Sequence, residues 1–221
     1  MRLLLLAAAS ITLLSGCTKV ARPAPGPMAV EEETLTGWKA VASAEDVTRI
    51  EQLPDTWQRL LAGARVRYTR LVNAQGALLK PEAGLDFPMP PPGSYRCKLV
   101  RLRQTAVRTP PISVMATSFC HVRGESEQGL AFSKQTGTEL PAGWLYPDGE
   151  RRLILLGARQ RQVGETSLAY GTDKARDITG IFDRIGPFRW RLAIQAAGTP
   201  QSLDIYELTP VPAEGQAAEP S

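Results

Sequence analysis

The chain has 221 residues, 26 Lys and Arg against 22 Asp and Glu, a formal net charge of +4, and 43% hydrophobic residues. That length and apolar content fit one domain with a real core and exclude a wholly disordered chain. Basic residues recur at Arg96, Lys98, Arg101, Arg103 and Arg108, but acidic residues offset them elsewhere. The domain-wide basic footprint of a nucleic-acid binder is missing, so nucleic acid is not an expected partner.

Met1-Arg2 precedes an apolar run from Leu3 to Leu14, and Leu14-Ser15-Gly16-Cys17 follows. One charge, a short apolar stretch and small residues define a signal peptide over residues 1–16. The run is well short of the roughly 20 residues that span a bilayer as a helix. Leu-Ser-Gly-Cys resembles the bacterial lipobox, which implies cleavage before Cys17 and acylation of its thiol. No small-x-small site is well placed after the run, because Ala7-Ala8-Ala9 lies inside it. Each buried methylene contributes about 0.8 kcal/mol, so two or more acyl chains on Cys17 would anchor the chain stably. Thr18 stands where an aspartate would resemble an inner-membrane retention signal. The expected address is therefore the outer membrane, facing the periplasm. Residues 17–37, with Arg22-Pro-Ala-Pro-Gly-Pro27 and Glu31-Glu32-Glu33, form a tether. Its prolines favour an extended chain, with a reach of at most about 60 to 70 Å.

A single globular domain is expected over residues 38–209, with helices in 43–73 and strands in 94–208. Ser43 caps a short helix, with Asp46 in capping-box position, and Pro54 is expected to end it. Asp55 then caps a second helix. Its stripe of Trp57, Leu60, Leu61, Ala64, Tyr68, Leu71 and Val72 runs to about Asn73 as a docking face for the core. Prolines from Pro81 to Pro92 make the next segment a loop.

Period-2 patterns then predict strands at Ser94–Gln104, Ile112–Arg123, Gly129–Gln135, Trp144–Tyr146, Arg152–Ala158, Ser167–Tyr170, Asp177–Ile185, Arg189–Gln195 and Ser202–Leu208. Pro147-Asp148-Gly149 and Gly186-Pro187 read as hairpin turns. In the first strand the apolar phase slips between Leu99 and Val100, which predicts a β-bulge. With Cys17 acylated, Cys97 and Cys120 remain. An even number in an oxidising compartment suggests a disulfide between neighbouring strands, with buried thiols as the alternative. The fold class is α+β and mostly β: short N-terminal helices on an antiparallel barrel-like (calycin or lipocalin-like) or sandwich body. Residues 210–221 have almost nothing to bury and are expected to be a disordered tail.

Catalytic motifs are scarce. His121 is the only histidine, and in a strand it points away from Cys120. One histidine and two bridged cysteines do not make a zinc site. No nucleotide-binding, zinc-protease or nucleophile-elbow motif is present, and no cofactor or metal is expected. Asp173, Asp177 and Asp183 are the remaining candidates for acid–base work, each beside a basic residue. Arg176, Arg184, Arg189 and Arg191 could instead bind an anionic headgroup.

Several short blocks carry a resemblance: Pro91-Pro-Gly-Ser-Tyr-Arg-Cys97, Trp144-Leu-Tyr-Pro-Asp148, Leu155-Leu-Gly157, Tyr170-Gly-Thr-Asp173, Arg176-Asp177, Gly180 and Arg184-Ile-Gly-Pro-Phe-Arg-Trp-Arg-Leu192. Together they resemble a bacterial envelope family, domain of unknown function 4893. The resemblance implies no activity, substrate or catalytic residue. The first expectation is a non-enzymatic lipoprotein that holds a small apolar or amphiphilic ligand in its barrel. The alternative is an envelope assembly or interaction protein without a small ligand, and a hydrolase using carboxylates near Asp173 and Asp177 is third. A wide apolar cavity would favour the first. A barrel plugged by aromatic side chains, with apolar surface exposed outside, would favour the second.

Overall fold

The computed structural model describes residues 36–104, 109–125, 129–196, 198–199 and 201–212. The expected signal peptide, Cys17, most of the tether and residues 213–221 of the expected tail lie outside the described residues. The tail does not begin at residue 210, because Pro210 ends the last strand and Val211 is buried, its N–H donating to the Ser94 carbonyl at 2.9 Å.

One helix, not two, opens the domain. Helix α1 spans Ala44–Asn73, and the Ser43 hydroxyl caps it by accepting the Asp46 N–H at 3.2 Å. Pro54 stands inside it, where it removes one backbone hydrogen bond at a cost of about 3 kcal/mol. The buried stripe explains why the helix continues: Ile50, Leu53, Trp57, Leu60, Leu61 and Ala64 are each at most 4% exposed. Each such side chain contributes about 1.5 to 3 kcal/mol when buried. Keeping Ile50 and Leu53 in line with Trp57 therefore outweighs the proline. The backbone leaves helical geometry only at Tyr68.

Nine strands follow: β1 Gly93–Arg103, β2 Ile112–Val114, β3 Ser118–Glu125, β4 Gly129–Lys134, β5 Leu140–Asp148, β6 Arg152–Gln160, β7 Asp177–Gly186, β8 Arg189–Ala196 and β9 Ser202–Pro210. Strands β3 to β9 pair antiparallel in sequence order, and β1 joins β3 to β9. The β1–β9 ladder runs without interruption from Tyr95↔Pro210 to Arg103↔Ser202. Eight strands thus close into an antiparallel barrel, and β2 adds a short ninth against Val100–Leu102.

Several expectations are corrected. The segment Ile112–Arg123 divides into β2 and β3, and Ser167–Tyr170 lies in no strand. Tyr170 instead packs beside the start of α1, where its hydroxyl accepts the Ser43 N–H at 2.9 Å and donates to Asp46. Pro147 belongs to β5, opposite Leu153, so the hairpin turns at Gly149. No bulge interrupts β1 at Leu99–Val100. Both faces of β1 are buried there, so the apolar phase changes while the register holds. Tyr95, Cys97 and Leu99 face the barrel interior, whereas Val100 and Leu102 join the layer beneath α1.

Two cores result. The inner one fills the barrel with Tyr95, Phe132, Leu155, Phe182, Trp190, Leu192 and Tyr206 among others. The outer one packs α1 against Ile154, Leu156, Ile181, Ala193, Leu203 and Ile205. Cys97 and Cys120 form a disulfide inside the barrel between β1 and β3. Strands β5 and β6 approach so closely that Gly143 faces Gly157. A Cβ on Gly157 would lie 1.9 Å from the Ala142 carbonyl, so only glycine fits.

Arg191 joins the layers. It is 1% exposed and projects from β8 toward α1, with its guanidinium 4.7 Å from the Trp57 ring centre. It donates to both oxygens of Asp183, at 2.7 and 2.6 Å. It also donates to the carbonyls of Ala77, Leu78, Lys80 and Pro81, which lie in the chain following α1.

Removing one partner of such a pair leaves the other charge buried alone, a loss of about 3 to 5 kcal/mol. Arg191→Met should lower the urea midpoint by that equivalent at unchanged m. Arg191→Lys should recover only part, because an ammonium cannot present a planar fork. Reducing the disulfide, which joins residues separated by 23 in sequence, should cost about 3 kcal/mol in the chain-entropy model. Parallel denaturation curves with and without reductant measure it.

Candidate functional site

The candidate carboxylates fall in two places: Asp173 and Asp177 are neighbours at the start of β7, with Asp46 of α1 near enough to add its charge, and Asp183 stands apart. Asp173 caps a turn, accepting the Ala175 N–H at 3.1 Å. Asp177 accepts the Gly171 N–H at 3.0 Å, and burial raises its pKa. Asp183 is held by Arg191, and six residues along β7 place it about 20 Å from Asp177. His121 lies on the outer face of β3, opposite in direction to the bridged Cys120.

Of the four candidate arginines, Arg184, Arg189 and Arg191 share the β7–β8 hairpin, Arg176 stands apart before β7, and each is engaged by different partners. Arg176 donates to both Glu165 oxygens at 2.9 Å and to the Arg159 carbonyl at 2.7 Å. Arg184 donates twice to the Asp86 carbonyl, at 3.0 and 2.7 Å. Arg189 pairs with Glu207, and Arg191 is the buried clamp. Eight residues separate Arg176 from Arg184, about 26 Å along a strand. They do not converge on a shared cavity.

The barrel interior is not a ligand cavity. Tyr95, Phe132, Phe182 and Tyr206 are each at most 1% exposed, and Tyr95 meets Trp190 edge-on with ring centres 5.9 Å apart. These side chains leave next to no interior surface open to a water molecule. Apart from Arg101, Lys134, Arg159 and Asp204 at one mouth, the interior is apolar, while Arg96, His121, Arg123 and Ser133 take the outward positions on β1, β3 and β4. A membrane-spanning barrel has the reverse arrangement, apolar outside and polar within.

Two groups of exposed or charged side chains stand at the ends of the barrel. At the end where β5 turns into β6 and β7 into β8, the proline-rich chain from Gly84 to Pro92 crosses the barrel. Leu85 bridges to Arg184, the Phe87 N–H donates to the Glu150 carbonyl at 3.1 Å, and the Tyr95 hydroxyl donates to the Pro91 carbonyl. Phe87 is 81% exposed at φ 60°, and Phe188, in the β7–β8 turn, is 73% exposed at φ 51°. Met89, two residues after Phe87, is also exposed. Nearby charges are matched: Arg151 meets Asp86 at 3.1 Å and Arg152 meets Asp148 at 2.6 Å.

The opposite end is an ionic mouth. Arg101 of β1 donates to both oxygens of Asp204 on β9, one at 2.6 Å. Glu139, just before β5, bridges two arginines: Arg101 at 3.2 Å and Arg159 of β6 at 3.4 Å. Lys134 is 3% exposed and donates to the Thr136 carbonyl at 2.8 Å and to that of Thr138. Burial lowers its pKa, against the attraction of Glu139 and Asp204. A hollow of about 130 Å³ opens beside these groups, with Ile194 in its wall. Sequence reading missed this cluster because the expected bulge would have turned Arg101 outward. Its parity with Tyr95, Cys97 and Leu99 was the available signal. Asp204 shares a face with Tyr206 and Leu208 in the same way, as Arg159 does with Leu153 and Leu155.

Left-handed backbone costs a non-glycine residue about 1 to 2 kcal/mol, and asparagine tolerates it better than phenylalanine. Phe87→Asn and Phe188→Asn should therefore leave thermal stability unchanged or raise it by up to about 1 kcal/mol. A loss of 3 kcal/mol or more, as for a core phenylalanine, would assign these rings to the fold.

No curated protein and no solved structure matches the chain. A family model described as Domain of unknown function (DUF4893) matches residues 38–208, from the residue buried just before α1 to the closing strand of the barrel. With the match covering α1 and almost the whole barrel, the chain belongs to the DUF4893 family.

Proposed function

We propose that this chain is a non-enzymatic, lipid-anchored envelope protein that acts through its surface as an interaction module. The filled barrel carries the reading. Tyr95, Phe132, Phe182, Trp190 and Tyr206 occupy the space an apolar ligand would need, and each is at most 4% exposed. Two phenylalanines are exposed at one end. Val66 and Val163 are exposed singly, and Val114, Met115 and Phe119 are partly exposed around β2 and the start of β3. Phe87 and Phe188 differ because their backbone is also strained.

The matched charges around these rings argue for a protein partner over an anionic lipid surface. A membrane-binding face would present unbalanced cations, whereas Arg151, Arg152 and Arg189 each have a carboxylate partner. Aromatic anchors that enter pockets on a partner, with polar pairs at the rim, are the usual energetic core of a protein interface. The lipobox-like Leu14-Ser15-Gly16-Cys17 supports the address. The tether would let the domain meet partners within roughly 70 Å of its membrane.

Native mass spectrometry of the chain purified from its own membranes tests this reading. A stoichiometric protein partner should accompany the wild type and be lost from the Phe87→Asn/Phe188→Asn double variant. A bare monomer, a partner retained by that variant, or a small molecule held in the barrel would overturn it.

A further inference from the structure

We propose that the ionic mouth is an anion-binding site whose seat is occupied by the protein's own Glu139, and that a carboxylate- or phosphate-bearing small anion competes for it. The proposal is independent of the partner surface at the other end.

Four observations carry it. First, Glu139 spans two guanidinium groups, one through each of its oxygens, at 3.2 and 3.4 Å. An external carboxylate or phosphate would bind such a pair in the same way. These contacts are longer than the 2.6 Å bond from Arg101 to Asp204. Glu139 is thus the looser of the two carboxylates. Second, Glu139 reaches both arginines from a left-handed backbone at φ 55°, a conformation that costs a non-glycine residue energy. Third, Asp204 holds Arg101 through two parallel bonds, so the cation stays in place when Glu139 departs. Fourth, a hollow of about 130 Å³ adjoins Arg101, Arg159 and Glu139, with Thr199 and Ser202 also in its wall.

Charge balance gives the direction. Arg101, Arg159 and Lys134 face Glu139 and Asp204, a local excess of one positive charge. Displacing Glu139 raises that excess to two, which an incoming anion then offsets. Lys134 steadies the turn that carries Glu139, because its ammonium donates to the carbonyls of Thr136 and Thr138. The site binds and releases an anion without covalent chemistry.

The test is calorimetric titration of the full chain in detergent with inorganic phosphate, against sodium chloride of equal ionic strength. Wild type should bind weakly, because Glu139 competes. Glu139→Gln removes the competing charge and should bind at least about tenfold more tightly, which corresponds to about 1.4 kcal/mol. Glu139→Gly, which also relieves the backbone, should do the same and covers a misfolded glutamine variant. Arg159→Met should abolish binding in either background, and the half-exposed position of Arg159 keeps that substitution out of the packed core. A parallel arm uses phosphatidylglycerol vesicles, with phosphatidylcholine as control. Arg159-dependent binding of free phosphate assigns the site to a soluble anion, and Arg159-dependent binding of phosphatidylglycerol alone assigns it to a lipid headgroup. Equal affinity of wild type and both Glu139 variants, or binding that survives Arg159→Met, would overturn the proposal.

Discussion

The guanidinium of Arg191 is where the two layers of this molecule meet. It leaves β8 on the outer face and passes beneath Trp57 of α1. There it grips Asp183 on the neighbouring strand and carbonyls in the chain after the helix. A charge with 1% exposure is tolerable only when nearly every donor has an acceptor. Arg191 meets that condition with a carboxylate and backbone oxygens. A lysine could not, since it lacks the planar fork that reaches several acceptors at once. The contact fixes the height at which the chain after α1 crosses the barrel. Through Gly84, whose added Cβ would lie 2.9 Å from Asp183, it also fixes where the proline-rich segment begins. Phe87 is displayed three residues later.

Closure of β1 on β9 is the second constraint, and it explains the burial pattern. An open sheet of this kind would keep one face wet and leave two edges for unwanted pairing. Closing the ring removes those edges and creates an interior too narrow for anything but side chains. The remaining apolar surface on the outside of β6 to β9 and β1 is covered by α1. Strands β6 to β9 are therefore apolar on both faces over much of their length. With both layers committed to packing, the exposed rings and the ionic cluster are carried by the ends of the barrel, where loops and charged residues escape the core.

Legibility in the sequence follows the same division. Most strand positions, the Ser43 cap and the Cys97–Cys120 pairing were readable, because each depends on local period or on simple counting. Pro54 misled because helix interruption is a local rule, while the burial of Ile50, Leu53 and Trp57 on one stripe is a tertiary gain. The bulge at Leu99–Val100 misled for a related reason. A one-residue change of apolar phase means a bulge in a sheet with one wet face, but only a change of covering layer in a sheet with two dry ones. That single error placed Arg101 outside and concealed the ionic mouth. Arg191 reads in the sequence as a possible anion ligand. Its carboxylate partner Asp183 is only eight positions away, but the carbonyls that complete its shell come from residues more than a hundred positions away, which no local pattern encodes.

Strain marks the same two ends that burial leaves available. Among the described residues, Phe87, Glu139 and Phe188 are the non-glycine residues with positive φ. Glycine or asparagine would serve stability better at all three, so packing does not account for a ring or a carboxylate there. Two are exposed aromatics at one end, and the third is the carboxylate that bridges two arginines at the other. Backbone strain of this kind persists where surrounding structure holds it and where the side chain has a use that offsets it. The filled barrel supplies the rigid support. A protein contact at one end and an anion seat at the other are uses that fit the side chains found there. Separation by the length of the barrel lets each end be altered without disturbing the other.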